Sequence, residues 1–219
     1  MLDEIEQAHF NMVEQQVKPT ALNNERVLSA LEKIKRTDFV PAQYQAVAYA
    51  DTCLPIGYEQ VILSPIIQSH LLQALQLMGH ETVLEIGTGS GYLTALLATL
   101  ALQVKTVEYT AELSAQAKKN CADYDLHNIT FCVGDGSVDW PLEQPVDVIV
   151  LTASLTAMPM SYLKRLSDNG RLIALIGDGQ LTQMQLWTRD KQQQWQSVSL
   201  LETVVPPMIV AQSPPQFEF

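Results

Sequence analysis

The spacing of apolar residues changes along the chain, and each change marks an element. From Asn24 to Ile34 the apolar positions Val27, Leu28, Leu31 and Ile34 recur with the 3.6-residue period of an amphipathic helix. Residues 1–50 read as helical, and Pro41 and Pro55 then break the pattern into turns. A further helix is predicted over Ile66–Leu77. From there short apolar runs alternate with helical stretches: strand Val83–Ile86, helix Tyr92–Leu102, strand Val104–Glu108, helix Ala111–Tyr124, strand Ile129–Val133 and strand Val146–Leu151. The last run is apolar throughout, as a strand buried on both faces should be. A short helix near Ser161–Leu166 precedes a strand over Arg171–Ile176. Met184–Thr188 and Trp195–Leu201 have no helix between them and predict a hairpin. This order predicts an α/β fold: a doubly wound, mostly parallel sheet with helices on both faces and an N-terminal helical extension. The division expected is 1–65 for the extension, 66–212 for the α/β domain and 213–219 for a tail loosened by Ser213-Pro214-Pro215.

Composition narrows the partners. Hydrophobic residues make up 47% and charged residues 17%, a globular balance rather than a disordered one. The formal net charge of −11 repels a phosphate backbone, so nucleic acid is not expected as a partner. The short run Lys33-Ile34-Lys35-Arg36 reads as a solvated helix end rather than a basic patch. The acidic N-terminus lacks the apolar core of a signal peptide, and no apolar run approaches the ~20 residues that span a bilayer. Cys53, Cys121 and Cys132 are odd in number and unpaired in spacing, so free thiols in a cytoplasmic setting are expected.

The densest chemistry lies at Val83-Leu84-Glu85-Ile86-Gly87-Thr88-Gly89-Ser90-Gly91-Tyr92. A buried strand ends in three glycines and a helix begins. Glycine lets the backbone turn sharply and lets a ligand approach without meeting a Cβ. Open α/β sheets bind ligands at the carboxyl ends of their strands. The spacing is G-x-G-x-G, not the G-x-G-x-x-G of dinucleotide enzymes, because Tyr92 stands where their third glycine belongs. The alternative is a tight turn without a ligand. Glu85 places a carboxylate just before the loop, where an ammonium group could be received. Glu108 ends the second strand, 21 positions after Gly87, at the spacing of an acid that accepts from both ribose hydroxyls. Gly134-Asp135-Gly136 follows the third strand, with an acid for an adenine amino group and flat backbone for the base; in isolation it reads as an Asp-Gly turn. Three elements in order, each at a strand's carboxyl end, are far more specific than any one.

Together these residues resemble the class I S-adenosylmethionine-dependent methyltransferases, which have a Rossmann-like fold. Met12–Val17, Glu25–Leu28, Asp38-Phe39-Val40-Pro41, Leu54-Pro55-Ile56-Gly57, Asp125–Ile129 and Val150-Leu151-Thr152-Ala153 look like protein-L-isoaspartate O-methyltransferases. The resemblance covers roughly residues 12–207. It implies methyl transfer to the α-carboxylate of isoaspartyl residues in damaged proteins, with S-adenosyl-L-methionine as cofactor and a protein or peptide as substrate. It implies a cofactor site of Glu85, Gly87, Thr88, Gly89, Ser90, Gly91, Glu108, Tyr109, Gly134, Asp135, Gly136 and Thr152, and a substrate-side segment within residues 1–65.

Two substrate-side stretches depart from the family. Its Gln-Thr-Ile-Ser pattern reads Gln60-Val61-Ile62-Leu63 here, so both hydroxyls are replaced by apolar groups, and Ser64 stands one position late. Its Arg-Phe-Val-Pro-Leu reads Thr203-Val204-Val205-Pro206-Pro207. Isoaspartyl activity is therefore expected to be weak or absent beside ordinary cofactor affinity. The alternatives are the same fold and cofactor with another acceptor, or cofactor binding without catalysis. Ser64 and Thr152 are the polar candidates for positioning the acceptor, each with a local cap or turn bond as its competing role. No other chemistry competes. His9, His70, His80 and His127 lack metal-ligand spacing, no metal is expected, and no G-x-S-x-G elbow is present. Cys132 and Trp140 read as core.

Overall fold

A computed structural model describes residues 3–20, 23–178, 180–190 and 192–209; the tail expected over 213–219 lies outside them. An N-terminal layer comes first. Helix α1 (Glu4–Asn11) starts on a capping box, in which Asp3 accepts from Glu6 N and the Glu6 side chain accepts from Asp3 N. A π-helical turn (Met12–Val17) and a 3₁₀ turn lead to α2 (Glu25–Lys33), capped by Asn24. The face read from the sequence is the buried one: Val27, Leu28, Leu31 and Ile34 all lie in the core, each contributing roughly 1.5–3 kcal/mol by leaving water. Two 3₁₀ turns (Arg36–Phe39 and Ala42–Val47) continue the layer on either side of Pro41, where a break into turns was expected.

A two-stranded hairpin that the sequence did not announce follows: β1 (Leu54–Gly57) and β2 (Gln60–Ile62), antiparallel. Its two-residue turn places Tyr58 at φ 54° and Glu59 at φ 58°. Both central residues of such a turn need positive φ, which is why Asn-Gly usually fills it. Helix α3 (Pro65–Leu75) then begins on the N-cap Ser64 with proline at its first position.

The main sheet has seven strands: β3 (Thr82–Ile86), β4 (Gln103–Glu108), β5 (Ile129–Val133), β6 (Val146–Leu155), β7 (Leu166–Gly177), β8 (Thr182–Arg189) and β9 (Trp195–Thr203). Their order is β5-β4-β3-β6-β7-β8-β9. The first five run parallel; β8 and β9 form the hairpin expected from the missing helix, and β8 also pairs antiparallel with β7. Helices α4 (Tyr92–Leu100) and α5 (Ala111–Ala122) cross between β3, β4 and β5. The order reverses at β3, which pairs with both β4 and β6, and that reversal opens a crevice at the carboxyl ends of the strands.

Only one face carries the helical layer. Side chains from α2, α3 and α4, with Cys121 of α5, pack there against Val83, Val104, Val148, Val150, Ile173 and Leu175. Among the described residues, the other face is covered by a 3₁₀ turn (Tyr162–Arg165) and by Trp140, Leu142 and Trp187. That turn stands where the short helix near Ser161–Leu166 was expected. The connection from β5 to β6 holds Gly134, Gly136, Pro141 and Pro145, which oppose helix, and a few large side chains close the gap instead. Among the described residues no helix is long and apolar enough to cross a membrane.

A correction concerns Arg36, expected in solvent. It is fully buried, and its guanidinium donates to the backbone carbonyls of Ala48, Thr52 and Leu63. Burial without a carboxylate partner lowers its pKa, since desolvation disfavours the cation. The side chain fixes the stretch Ala48–Leu63 to the layer below and sets where β2 lies.

Candidate active site

The crevice at the sheet's carboxyl edge is a cavity between the glycine loop and the N-terminal layer. Gly87, Thr88, Gly89 and Ser90 form its floor, Glu108 and Tyr109 one side, and Gly134, Gly136 and Ser137 another. Its remaining wall is mostly apolar: Ile56, Val61, Ile62 and Leu63 from the hairpin side, and Val205, Pro206 and Met208 from the strap that follows β9, with Gln60 and Gln68 among them. The strap is tied to β6, since Ser154 N donates to Pro206 O and Met208 N donates to Ser154 O.

The loop's conformation requires glycine. Gly87, Gly89 and Gly91 have φ of 97°, 55° and 86°. A Cβ on Gly87 would stand 2.1 Å from Thr152 Oγ1, and one on Gly91 about 3.0 Å from the Ala117 Cβ of α5. The Thr152 hydroxyl donates to the carbonyls of Ile86 and Gly87, at 3.0 and 2.8 Å. Glu108 grips the loop from the side: one carboxylate oxygen accepts from Gly89 N at 2.9 Å and the other from Thr110 N at 3.0 Å. Asn120 of α5 donates to Ser90 O. The Gly134–Gly136 turn is pressed between Trp140 and Ile86, each within 2.8 Å of an added Cβ, and the Tyr162 hydroxyl donates to Gly136 O.

Most of the expected cofactor residues meet at this cavity, but three do not line it: Glu85, Gly91 and Asp135. Gly91 turns the chain into α4, of which it is the N-cap. Asp135 is exposed, and its carboxylate accepts from Ser137 N. Glu85, expected to receive an ammonium group, is fully buried beneath the loop. Its Oε2 accepts from the hydroxyls of Thr94 (2.5 Å) and Thr106 (2.7 Å), and Thr106 is in turn bonded to Thr88 at 2.6 Å. The carboxyl therefore supports the loop through hydroxyls. The cause is strand alternation: Glu85 and Ile86 point to opposite faces, and Glu85 takes the helical one.

Ser64, the other acceptor-positioning candidate, is also displaced. Its hydroxyl accepts from Ile67 N as the cap of α3, and it faces a separate groove with Asp51, Cys53 and His70. Standing one position late in an extended segment turns a side chain to the opposite side. Val61 and Leu63, by contrast, do line the cavity. Sequence reasoning missed Ser137 and Gln68; of the strap it singled out Thr203–Pro207 as substrate-side, and Val205 and Pro206 do line the cavity. Ser137 directly follows the glycine turn, a usable signal.

Burial raises the Glu85 pKa from 4.5 to about 7; the two hydroxyl bonds lower it and the Glu108 charge raises it further. An acid whose pKa is raised on folding holds its proton more tightly in the folded state. Stability is therefore greatest below about pH 4.5 and falls as pH rises to about 7. Glu85→Gln removes that loss: from pH 5 to pH 8 its stability should gain about 2.5 kcal/mol relative to the parent. Urea unfolding at both pH values checks this, and parallel profiles would contradict it.

A family profile described as Protein-L-isoaspartate(D-aspartate) O-methyltransferase (PCMT) matches residues 7–209. The chain belongs to the protein-L-isoaspartate O-methyltransferase family. It is 43% identical over 166 residues to the protein-L-isoaspartate O-methyltransferase of Methanoculleus marisnigri, covering 76% of each chain. It is 44% identical over 161 residues to that of Dictyoglomus turgidum, covering 74% of this chain and 73% of the other. A solved protein-L-isoaspartate O-methyltransferase superposes with a TM-score of 0.78 at 23% identity, over 93% of this chain and 65% of that one. A candidate member from Plasmodium falciparum, in complex with S-adenosyl-L-homocysteine, superposes with 0.75 at 17% identity, over 94% and 98%. These two likenesses establish the fold, a Rossmann-like methyltransferase fold as expected.

Proposed function

We propose that the protein transfers a methyl group from S-adenosyl-L-methionine to a protein carboxylate of the isoaspartyl type. The observation that carries this is the convergence of three elements at one cavity: the G-x-G-x-G loop, Glu108 and the Gly134–Gly136 turn, at the ends of three consecutive strands. The cradle fits a nucleoside, because its floor is bare backbone at Gly87, Gly134 and Gly136, where Thr152, Trp140 and Ile86 behind it leave no room for a Cβ. On this reading Glu108 accepts from the ribose hydroxyls, Tyr109 and the Gly134–Gly136 backbone flank the base with Asp135 at its edge, and Thr88, Gly89 and Ser90 face the amino-acid end. Gly87 and Gly91 shape the loop, Glu85 supports it, and Thr152 pins it. Residues 1–65 close the acceptor side over the cofactor half, 66–212.

The bound cofactor supplies an electrophilic methyl group. The acceptor carboxylate is already ionised at neutral pH, so no general base is required of the chain. Its tasks are to hold the acceptor oxygen in line and to keep water out. Ile56, Val61, Leu63, Val205 and Met208 make a dry wall, which favours a reaction in which opposite charges cancel. A cytoplasmic setting and a role in protein repair belong to the same proposal; the three cysteines are free thiols.

Cofactor choice gives a direct check. Thermal shift with S-adenosylhomocysteine should show clear stabilisation, and NAD or NADP none at the same concentration, because Tyr92 occupies the place of the third dinucleotide glycine. Stabilisation by NAD at micromolar levels would point to an oxidoreductase instead.

A further inference from the structure

The cavity poses a problem for a carboxylate. An anion leaving water must regain hydrogen bonds, yet residues 61 and 63 offer it only methyl groups, and the Ser64 hydroxyl is committed to capping α3. The Thr152 hydroxyl is spent on two carbonyls. Among the described residues outside the cofactor cradle, three more polar side chains line the cavity, Gln60, Gln68 and Tyr92, and Gln60 donates to Pro207 O. Gln68, one turn into α3, lines the cavity at 2% exposure, and its Oε1 is buried with no donor. The Tyr92 hydroxyl is likewise buried and unpartnered, but it lies in the field of Arg36 and Tyr49, with its ring against Phe39 in the N-terminal layer. A buried amide oxygen without a partner is costly, and such groups in a cavity are explained when a ligand completes them.

We propose that Gln68 is the acceptor-binding residue of this enzyme, its carboxamide pairing with the isoaspartyl α-carboxylate and the peptide N–H beside it. A carboxamide carries a donor and an acceptor side by side. The isoaspartyl α-carbon bears both a carboxylate and a peptide N–H. Nε2 donates to the carboxylate and Oε1 accepts the N–H, so a single side chain satisfies both groups and is itself satisfied. A normal aspartyl residue presents its carboxylate one methylene further from that N–H and loses the pairing. Recognition has thus moved from hydroxyls at positions 61 and 63 to an amide on α3. The inference rests on the isoaspartyl reading above.

The test uses Gln68→Met, which fills the same space without donor or acceptor. Methyl transfer to an isoaspartyl peptide should fall about ten- to hundredfold in kcat/KM, mostly through KM. S-Adenosylhomocysteine affinity should stay within about twofold, and the melting temperature of the free protein should not fall, since an unpartnered buried oxygen has been removed. Adding Val61→Thr and Leu63→Ser to the Gln68→Met protein should restore activity, and adding them to the parent should raise it. Unchanged peptide kinetics would overturn the assignment. A parallel loss of S-adenosylhomocysteine affinity would move Gln68 to the cofactor's amino-acid end and overturn it too, as would a lowered melting temperature without rescue, the mark of a packing role. If the parent binds cofactor but never methylates the isoaspartyl peptide, the functional reading fails first, and this inference with it.

Discussion

Gly87→Ala is expected to weaken S-adenosylhomocysteine binding by about a hundredfold or more, near 2.7 kcal/mol, in a protein that still folds. Two costs combine. The residue sits at φ 97°, where an L side chain is strained, at about 1–3 kcal/mol. The new Cβ would also lie 2.1 Å from a hydroxyl that two carbonyls hold in place. The loop must move, and it is the floor of the cofactor cradle. Calorimetry on the folded variant measures the loss. Adding Thr152→Ala should recover part of the affinity by removing the clash while the backbone strain persists. Full affinity in Gly87→Ala would mean that the loop tolerates a conformation other than the one described.

Glu108→Ala should weaken the same ligand by about 1.5–3 kcal/mol, the range for hydrogen bonds to a charged group. The structure makes the upper half of that range the expected one. Glu108 faces the cavity and also holds the loop through Gly89 N and the following turn through Thr110 N. Removing it deletes a ligand contact and loosens the floor. Glu108→Gln tests the second role: an amide offers one oxygen where the carboxylate offers two, so one of the two backbone N–H groups loses its acceptor. An intermediate loss is expected. Unchanged affinity in both variants would remove Glu108 from the site.

The parts of this molecule that were legible in the sequence are those in which local chemistry and tertiary role agree. Short β-branched runs became parallel strands, and the glycine loop with Glu108 and the Gly134–Gly136 turn came together at the switch point. Misreadings arose where tertiary context overrode a local habit. A Lys/Arg-rich helix end normally faces water, but Arg36 found three carbonyls in the core. The hairpin at Tyr58-Glu59 uses side chains that disfavour its positive φ values, and Pro55 lies within its first strand, so neither turn nor strand was signalled. Glu85 was assigned to the ligand because it adjoins the loop in sequence, whereas strand alternation points it at Thr94 and Thr106. Gln68 sits among Ile66, Ile67, Leu71 and Leu72 on a helix; only the cavity wall shows what a polar group does there.

Transfer of a labelled methyl group from S-adenosylmethionine to paired peptides, identical except that one carries isoaspartate and the other aspartate, tests the central claim most directly. The isoaspartyl peptide should gain label as a base-labile ester, more slowly than with a relative that keeps both hydroxyls at positions 61 and 63, and the aspartyl peptide should gain none. Equal labelling of both peptides, or tight S-adenosylhomocysteine binding with no transfer to either, would contradict it.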